Sequence, residues 1–340
     1  MSELPGMNTP ALDAFLRDNG VQRTGELRVE LINGGRSNLT FKAFDETSAW
    51  VVRRPPTSGL TPSAHDMARE WAVTSALQST DVPVARTVAF DPDGTVLGAP
   101  TTVVEFDPGT VIRTREDLEK LSDTDVEANT VELIRVLGNL HSVDFDAVGL
   151  GSFGKPQGFV GRQVTTWARQ WESVKTREMP DVETLRDKLL ETVPPSSAAS
   201  IVHGDYRVDN VILRSGDPSS ITAVVDWEMS TLGDPLTDVA LMCVYRQPIF
   251  DSVLGASAAW TSSRYPSADS LAESYSRLTG TELLHWNFYL ALANFKLGVI
   301  AEGITHRALA GSDSGSGASS AAEATHEFVA AGLRAIEKKE

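Results

Sequence analysis

Cysteine is almost missing from the 340-residue chain. The single Cys243 cannot form an intramolecular disulfide. Its neighbours Leu241, Met242 and Val244 make it a packed thiol rather than a nucleophile beside an activating base. Positive charge is also scarce. Thirty Lys and Arg face 46 Asp and Glu, a formal charge of −16, and no local run of basic residues offsets it. A surface of that sign repels a nucleic-acid backbone, so no nucleic-acid partner is expected. The N-terminus lacks the basic and apolar regions of a secretory leader and reads as a cytoplasmic start. The longest apolar stretch, Leu283 to Ala310, is interrupted by His285, Asn287, Asn294, Lys296 and Glu302. Those groups are costly in a bilayer, so the stretch is expected to be a buried core helix and no membrane partner is expected. The six histidines have no zinc-site spacing, and no repeat appears at solenoid periods.

What is present, 41% hydrophobic residues over this length, suffices for two domains or one bilobal unit. A short helix is expected at Pro10 to Asn19. Leu27 to Phe44 alternates about a glycine pair as a hairpin does, Trp50 to Arg54 reads as a third strand, and Ala64 to Gln78 reads as a helix. Ala85 to Phe90 and Thr101 to Phe106 supply two more strands. Beyond Glu116 the pattern turns helical: Val131 to His141, Thr165 to Val174, Val182 to Thr192, Leu236 to Tyr245, Ala268 to Leu278, Leu283 to Ala310 and Ala321 to Lys338. A β island at 201–202, 211–213 and 223–225 interrupts it, and the Gly/Ser-rich stretch Gly311 to Ser320 reads as a loop. The expected fold is therefore α+β with two lobes. A small antiparallel-sheet N-lobe spans 1–106 and a mainly helical C-lobe spans 107–340, with a ligand cleft between them.

The strongest motif is His203-Gly204-Asp205-Tyr206-Arg207-Val208-Asp209-Asn210, followed sixteen residues after Asn210 by Asp226 at the end of an apolar strand. Phosphoryl transfer needs a group that orients a hydroxyl nucleophile and metal ligands that neutralise the phosphates. Asp205 fits the first role, and Asn210 with Asp226 fits the second. The Asp-to-Asn interval is that of the kinase catalytic loop, with glycine in place of its arginine. A polar β-turn explains any one of these carboxylates but not the set. Other matches fail on context. Gly149-Leu150-Gly151-Ser152-Phe153-Gly154 fits a dinucleotide fingerprint but joins no strand to a helix, and Pro156 spoils the near-Walker reading that Lys155 invites. Asn38-Leu39-Thr40 is a glycosylation sequon, idle without secretion.

With these residues the chain resembles the aminoglycoside phosphotransferase and choline kinase superfamily, over nearly its whole length. More narrowly, it is similar to the branch found as stand-alone bacterial proteins and as the amino-terminal part of acyl-CoA dehydrogenase fusions. The narrower likeness is carried by Gly34-Gly35-Arg36-Ser37-Asn38, Leu140-His141-Ser142, Trp167-Ala168-Arg169-Gln170-Trp171, Asp226-Trp227-Glu228, Gly233-Asp234-Pro235-Leu236-Thr237-Asp238 and Glu302-Gly303-Ile304-Thr305-His306-Arg307. The resemblance implies an ATP-dependent small-molecule kinase that uses Mg²⁺, with GTP as an open alternative donor. Gly34, Gly35, Arg36, Ser37 and Asn38 would cover the phosphates, where glycine lets backbone amides approach anionic oxygens. Backbone groups of Glu105 and Phe106 would meet the base, and Asp238 would brace the catalytic loop.

Protein kinases hold the phosphates with a strand lysine paired to a helix glutamate. Here Val51-Val52-Arg53-Arg54 has no lysine, so Arg53 paired with Glu70 is expected in that role, with Arg54 the rival by strand alternation. The missing lysine also leaves a non-catalytic nucleotide- or metabolite-binding module as the alternative function. For the acceptor, the basic residues Arg162, Arg169, Lys175, Arg177, Lys296, His306 and Arg307 suit an anionic molecule. The resemblance to the fusion proteins points to a hydroxyacyl-CoA or hydroxy acid.

Overall fold

The computed structural model describes residues 4–32, 38–57, 66–195, 198–311 and 318–338. Helix α1 (Thr9–Asp18) starts where the Asn8 side chain accepts from the Ala11 amide at 3.1 Å, and it buries Leu12 and Leu16. Strands β1 (Arg28–Leu31), β2 (Leu39–Phe44) and β3 (Ala49–Arg54) follow. After helix α2 (Met67–Leu77) come β4 (Thr87–Asp91) and β5 (Thr101–Glu105). All five strands pair antiparallel in the order β1-β2-β3-β5-β4. In β3, Trp50, Val52 and Arg54 are buried while Val51 and Arg53 face the other side, the period of two that a half-covered strand requires. Phe41, Ala43, Trp50, Val52 and Val103 form one apolar cluster with Leu12 and Leu16 of α1.

Helix α2 belongs to both lobes. It packs on β4 and β5, with Trp71 stacked on Phe90 at 5.4 Å. Its Val73 and Leu77 nevertheless join the larger hydrophobic cluster, which is otherwise built mostly from the C-terminal part. That part begins with α3 (Arg115–Glu119) and α4 (Asp123–Ser142), each opened by a capping box, Thr114 with Asp117 and Ser122 with Asp125. Helices α5 (Phe159–Val174) and α6 (Pro180–Glu191) follow. The β island comprises β6 (Ser200–Val202), the hairpin β7 (Val211–Arg214) and β8 (Asp217–Val224), and β9 (Thr231–Gly233), which pairs with β6. Helices α7 (Leu236–Val244), α8 (Phe250–Leu254), α9 (Ala268–Thr279), α10 (Trp286–Leu309) and α11 (Ala318–Glu337) complete the chain.

The bilobal α+β arrangement matches the sequence expectation, and the helices fall within a few residues of their expected spans except α4 and α5, which start earlier. Three short elements, α3, α8 and β9, carry too few residues to show a period and were not anticipated. Helix α10 is long and apolar enough to cross a membrane by composition, but it is largely buried and packs against α5, α7 and α11. Cys243 is buried as expected. Its Sγ donates to Ala268 O at 3.2 Å, and burial pushes the thiol up to about 12, which removes it as a nucleophile at neutral pH. The glycine-rich connector at 149–154 lies between α4 and α5 and opens no strand-to-helix phosphate loop.

Candidate active site

The catalytic-loop motif occupies the segment between β6 and β7. Gly204 adopts φ +83°, and a Cβ there would stand 2.8 Å from the Met229 Cβ, so the position admits neither arginine nor any other side chain without strain. Asp238, on the first turn of α7, binds this segment from behind. Its Oδ2 accepts the His203 amide at 2.6 Å and its Oδ1 accepts the Gly204 amide at 2.8 Å. His141 Nε2 lies 3.3 Å from the same carboxylate, and Tyr275 OH lies 2.8 Å from His141 Nδ1. Burial opposes the charge on Asp238, but His141, His203 and the loop amides outweigh it and hold the carboxyl below its ordinary value. His203 in turn donates from Nε2 to Val225 O at 3.0 Å and accepts the Asp205 amide on Nδ1 at 3.2 Å. One imidazole thus ties the loop to the strand end that leads into Asp226.

Asp205 is held by neighbours from its own loop and from the end of α7. Tyr245 OH, just past α7, donates to Oδ1. Arg207 Nε lies 3.3 Å from Oδ1 and its Nη2 is 3.5 Å from Oδ2, while Asn210 Nδ2 donates to Oδ2 at 3.0 Å and to Asp205 O at 2.8 Å. Arg207 also reaches Asp209 at 2.5 Å and lies over the rings of Tyr245 and Phe250. Burial would raise the Asp205 carboxyl, yet Arg207, Tyr245, Lys296 and His203 together lower it, so it stays ionised. Tyr245 was not foreseen. It lies 40 residues from Asp205 inside an apolar helical run, and nothing local marks its hydroxyl as polar-facing. Arg207 and Asp209 lay inside the motif without an assigned part.

Across the cleft, Arg53 Nη1 donates to Glu70 Oε1 at 2.8 Å, and Arg53 Nη2 stands 3.7 Å from Asp226 Oδ1. Desolvation is the largest influence on both partners. Glu70 and the nearby carboxylates keep Arg53 charged, while burial pushes Glu70 up against the pull of Arg53. Arg53 Nε and Glu70 Oε2 have no partner among the described residues. Arg54 is spoken for on the opposite face of β3. It donates to Gly6 O at 2.8 Å, Leu97 O at 2.7 Å and Pro55 O at 3.1 Å. Strand alternation therefore sends Arg53 alone toward Asp226. Arg69 adds a second tie between the lobes, donating to Ser230 O at 2.9 Å and Phe153 O at 3.1 Å.

Asp226 has φ +68° and ψ +57°, a left-handed conformation that Asp tolerates better than most residues. It turns the chain out of β8 into the short 3₁₀ segment Trp227–Met229. Among the described residues no group of three His, Cys, Asp or Glu forms a self-sufficient metal cage. A hard cation that also binds phosphate oxygens and water needs only one or two protein oxygens. Asp226 offers a carboxylate, and Asn210, with Nδ2 committed to Asp205, leaves Oδ1 without a hydrogen bond among the described residues. The Asn210 carbonyl accepts the Val225 amide at 2.9 Å, which couples the two positions. This donor set fits Mg²⁺.

Other expected positions fare differently. Gly34, Gly35, Arg36 and Ser37 lie outside the described residues; Asn38 is buried just before β2. At the expected hinge, the Glu105 amide donates to Arg86 O at 2.8 Å and the Phe106 amide to Ala49 O at 3.0 Å. Sheet pairing has taken both backbone donors. The expected basic acceptor surface also contracts. Arg177 pairs with the buried Glu302 at 3.0 Å, Lys175 with Glu172 at 3.0 Å, and Arg162 with the carbonyls of Lys155 and Gln157. Arg169, His306 and Arg307 are exposed. Lys296 alone reaches the catalytic loop, donating to Gly204 O at 2.7 Å.

The model of the family described as Phosphotransferase enzyme family (APH) matches residues 28–271. Acyl-CoA dehydrogenase family member 10 of Mus musculus is 32% identical over 323 residues, 94% of this chain and 30% of that protein. Acyl-CoA dehydrogenase family member 11 of Homo sapiens is 31% identical over 315 residues, 90% of this chain and 40% of that protein. The chain thus spans well under half the length of these relatives. A Ralstonia eutropha protein provisionally assigned as an aminoglycoside phosphotransferase superposes with TM-score 0.83 at 32% identity, covering 98% of this chain and 99% of the other. A thermostable mutant of the aminoglycoside phosphotransferase APH(4)-Ia, solved in a ternary complex with ADP and hygromycin B, superposes with TM-score 0.61 at 16% identity, covering 96% of this chain and 99% of the other. At that identity the likeness is one of fold, the kinase-like bilobal fold.

Proposed function

Since the chain belongs to the phosphotransferase enzyme family, we propose that it moves the γ-phosphoryl group of ATP to a hydroxyl of a small molecule. The observation that carries the reading is the convergence of Asp205 and Asn210 from the catalytic loop, and Asp226 after β8, with the Arg53–Glu70 pair from across the cleft. In this reading the nucleotide lies between the sheet and the C-lobe, with its phosphates toward Arg53, whose fork of donors suits anionic oxygens. Asn210 Oδ1 and the Asp226 carboxylate would hold Mg²⁺, which when bound neutralises charge on the phosphates. Asp205 orients the acceptor hydroxyl and receives its proton. A carboxylate held below its ordinary value is a weak base, and a loose transition state asks more for orientation than for early proton removal.

For the acceptor we propose a hydroxyacyl-CoA or a related hydroxy acid. Two observations support this: the relatives are acyl-CoA dehydrogenase family members, and the positive charges of Lys296 and Arg207 stand beside Asp205 where a polycationic aminoglycoside would be repelled. The test is ADP or GDP release on incubation with Mg²⁺ and ATP or GTP, across hydroxyacyl-CoAs of varied hydroxyl position, free hydroxy acids, choline and kanamycin. Acceptor-dependent release is expected with the hydroxyacyl compounds. Nucleotide binding without acceptor-dependent release would instead identify a binding module. Efficient turnover of kanamycin alone would overturn the acceptor class and leave the phosphotransferase standing.

A further inference from the structure

A small cavity of about 90 Å³ opens beside the catalytic loop, between α5, α7, α10 and the segment after Asp226. Phe159, Trp167, Leu241 and Leu292 give it a mainly apolar wall, while Gly204 and Lys296 bring it next to Asp205. Lys296 is unusual in this setting. Its ammonium carries three donors, and one goes to Gly204 O at 2.7 Å. Among the described residues it forms no ion pair within 4.0 Å. Instead it lies over the Trp167 ring, 5.4 Å from the centroid. Burial works against its charge, and the nearest carboxylates, Asp205 and Asp238, act on it only from beyond ion-pair distance; a buried cation held this loosely is a candidate for ligand recognition. The other cations proposed for the acceptor are either neutralised by Glu172 or Glu302, held by backbone carbonyls, or exposed.

We propose that Lys296 is the residue that determines acceptor specificity. Its free donors bind a carbonyl or carboxylate oxygen of the acceptor, whose apolar chain lies against Trp167 and Leu292, and its charge excludes cationic acceptors. The inference rests on placing the acceptor beside Asp205, as in the proposed function, and goes beyond it by assigning the selection to one side chain. The shared chemistry is an oxygen acceptor a short distance from the reacting hydroxyl. A free carboxylate and a thioester carbonyl are its two sources.

The test is calorimetric binding in the presence of Mg²⁺ and a non-hydrolysable ATP analogue. The probes are 3-hydroxybutyrate, its pantetheine thioester, 1,3-butanediol and 4-amino-2-butanol. Wild type should bind the carboxylate or the thioester more tightly than the diol, and the amine least. Lys296→Met should lose about 10- to 100-fold in affinity for the preferred probe, the loss of one charged hydrogen bond, and leave the diol unchanged, while Lys296→Arg should retain the preference. Equal binding of the diol and the oxygen-bearing probes by wild type would overturn the proposal even if the methionine variant failed to fold. So would no binding of any probe, or an unchanged preference in Lys296→Met. ADP release by wild type is measured separately. Lys296-dependent binding without turnover would sink the kinase reading, and turnover with a Lys296-independent preference would sink this one.

Discussion

Replacing Asp238 by asparagine tests whether the catalytic loop is held from behind by charge. The carboxylate is buried and its two oxygens receive the amides of His203 at 2.6 Å and Gly204 at 2.8 Å. Asparagine has a single oxygen, so one of the two amides must face an NH₂ group. The variant loses a charge-assisted hydrogen bond and leaves a buried N–H unpaired, and the remaining bond weakens to that of a neutral acceptor. Together these cost about 3 to 5 kcal/mol, the range for breaking a buried polar pair by altering one partner. Guanidinium denaturation followed by tryptophan fluorescence measures the cost directly. The pH dependence supplies a second check. The Asp238 carboxyl lies below its ordinary value of 3.8 in the folded protein. Its contribution is therefore complete above that value and is lost as pH falls through the folded one. The gap between wild type and Asp238→Asn should be widest near neutrality and should narrow in acid. A neutral-pH difference under about 0.5 kcal/mol, the scatter typical of surface substitutions, or a gap that widens toward acid, would refute the bracing argument.

Asp226→Ala should abolish Mg²⁺-dependent nucleotide binding, because it removes a hard oxygen from a site with few protein ligands; titration with and without Mg²⁺ reads this. Asp205→Asn should retain Mg-ATP binding while turnover falls, and normal turnover in that variant would remove Asp205 from its role. Arg53→Ala should weaken nucleotide affinity and, by leaving the buried Glu70 carboxyl without its cation, should also lower stability. Arg54→Ala should lower stability, because it orphans carbonyls of Gly6, Leu97 and Pro55, while nucleotide affinity stays near that of wild type, and isothermal titration separates the two. Tyr245→Phe takes a donor from Asp205, so the carboxyl should rise toward its ordinary value and the acid limb of kcat should move to higher pH. A limb that stays in place, or moves lower, would show that the hydroxyl does not tune the Asp205 carboxyl.

How far the sequence discloses this site depends on whether the chemistry is local. Asp205, Asn210 and Asp226 are readable because one loop and one hairpin set their spacing, and the spacing is itself the geometry. The choice between Arg53 and Arg54 is a parity question on β3. Sequence alternation poses it, but the answer needs to know which face α1 covers, and Leu12 and Leu16 cover the one bearing Arg54. Tyr245 and Lys296 are different in kind. Each sits on or beside an apolar helix and is turned toward Asp205 by packing among α5, α7 and α10, so its part depends on helix rotation rather than on neighbours in the chain. The expected acceptor surface makes the same point from the other side. Seven basic residues looked equivalent along the chain, yet Glu302, buried among Thr176, Arg177 and Thr325, claims Arg177 for the packing of α10 on α11. Lys296, whose helix instead points it at Gly204, forms no ion pair within 4.0 Å among the described residues and feels Asp205 and Asp238 only at longer range. If the proposed function holds, catalytic spacing is written along the chain and acceptor selection in how the C-lobe helices pack, and substitutions that rotate α10 should alter the choice of acceptor sooner than they alter nucleotide binding.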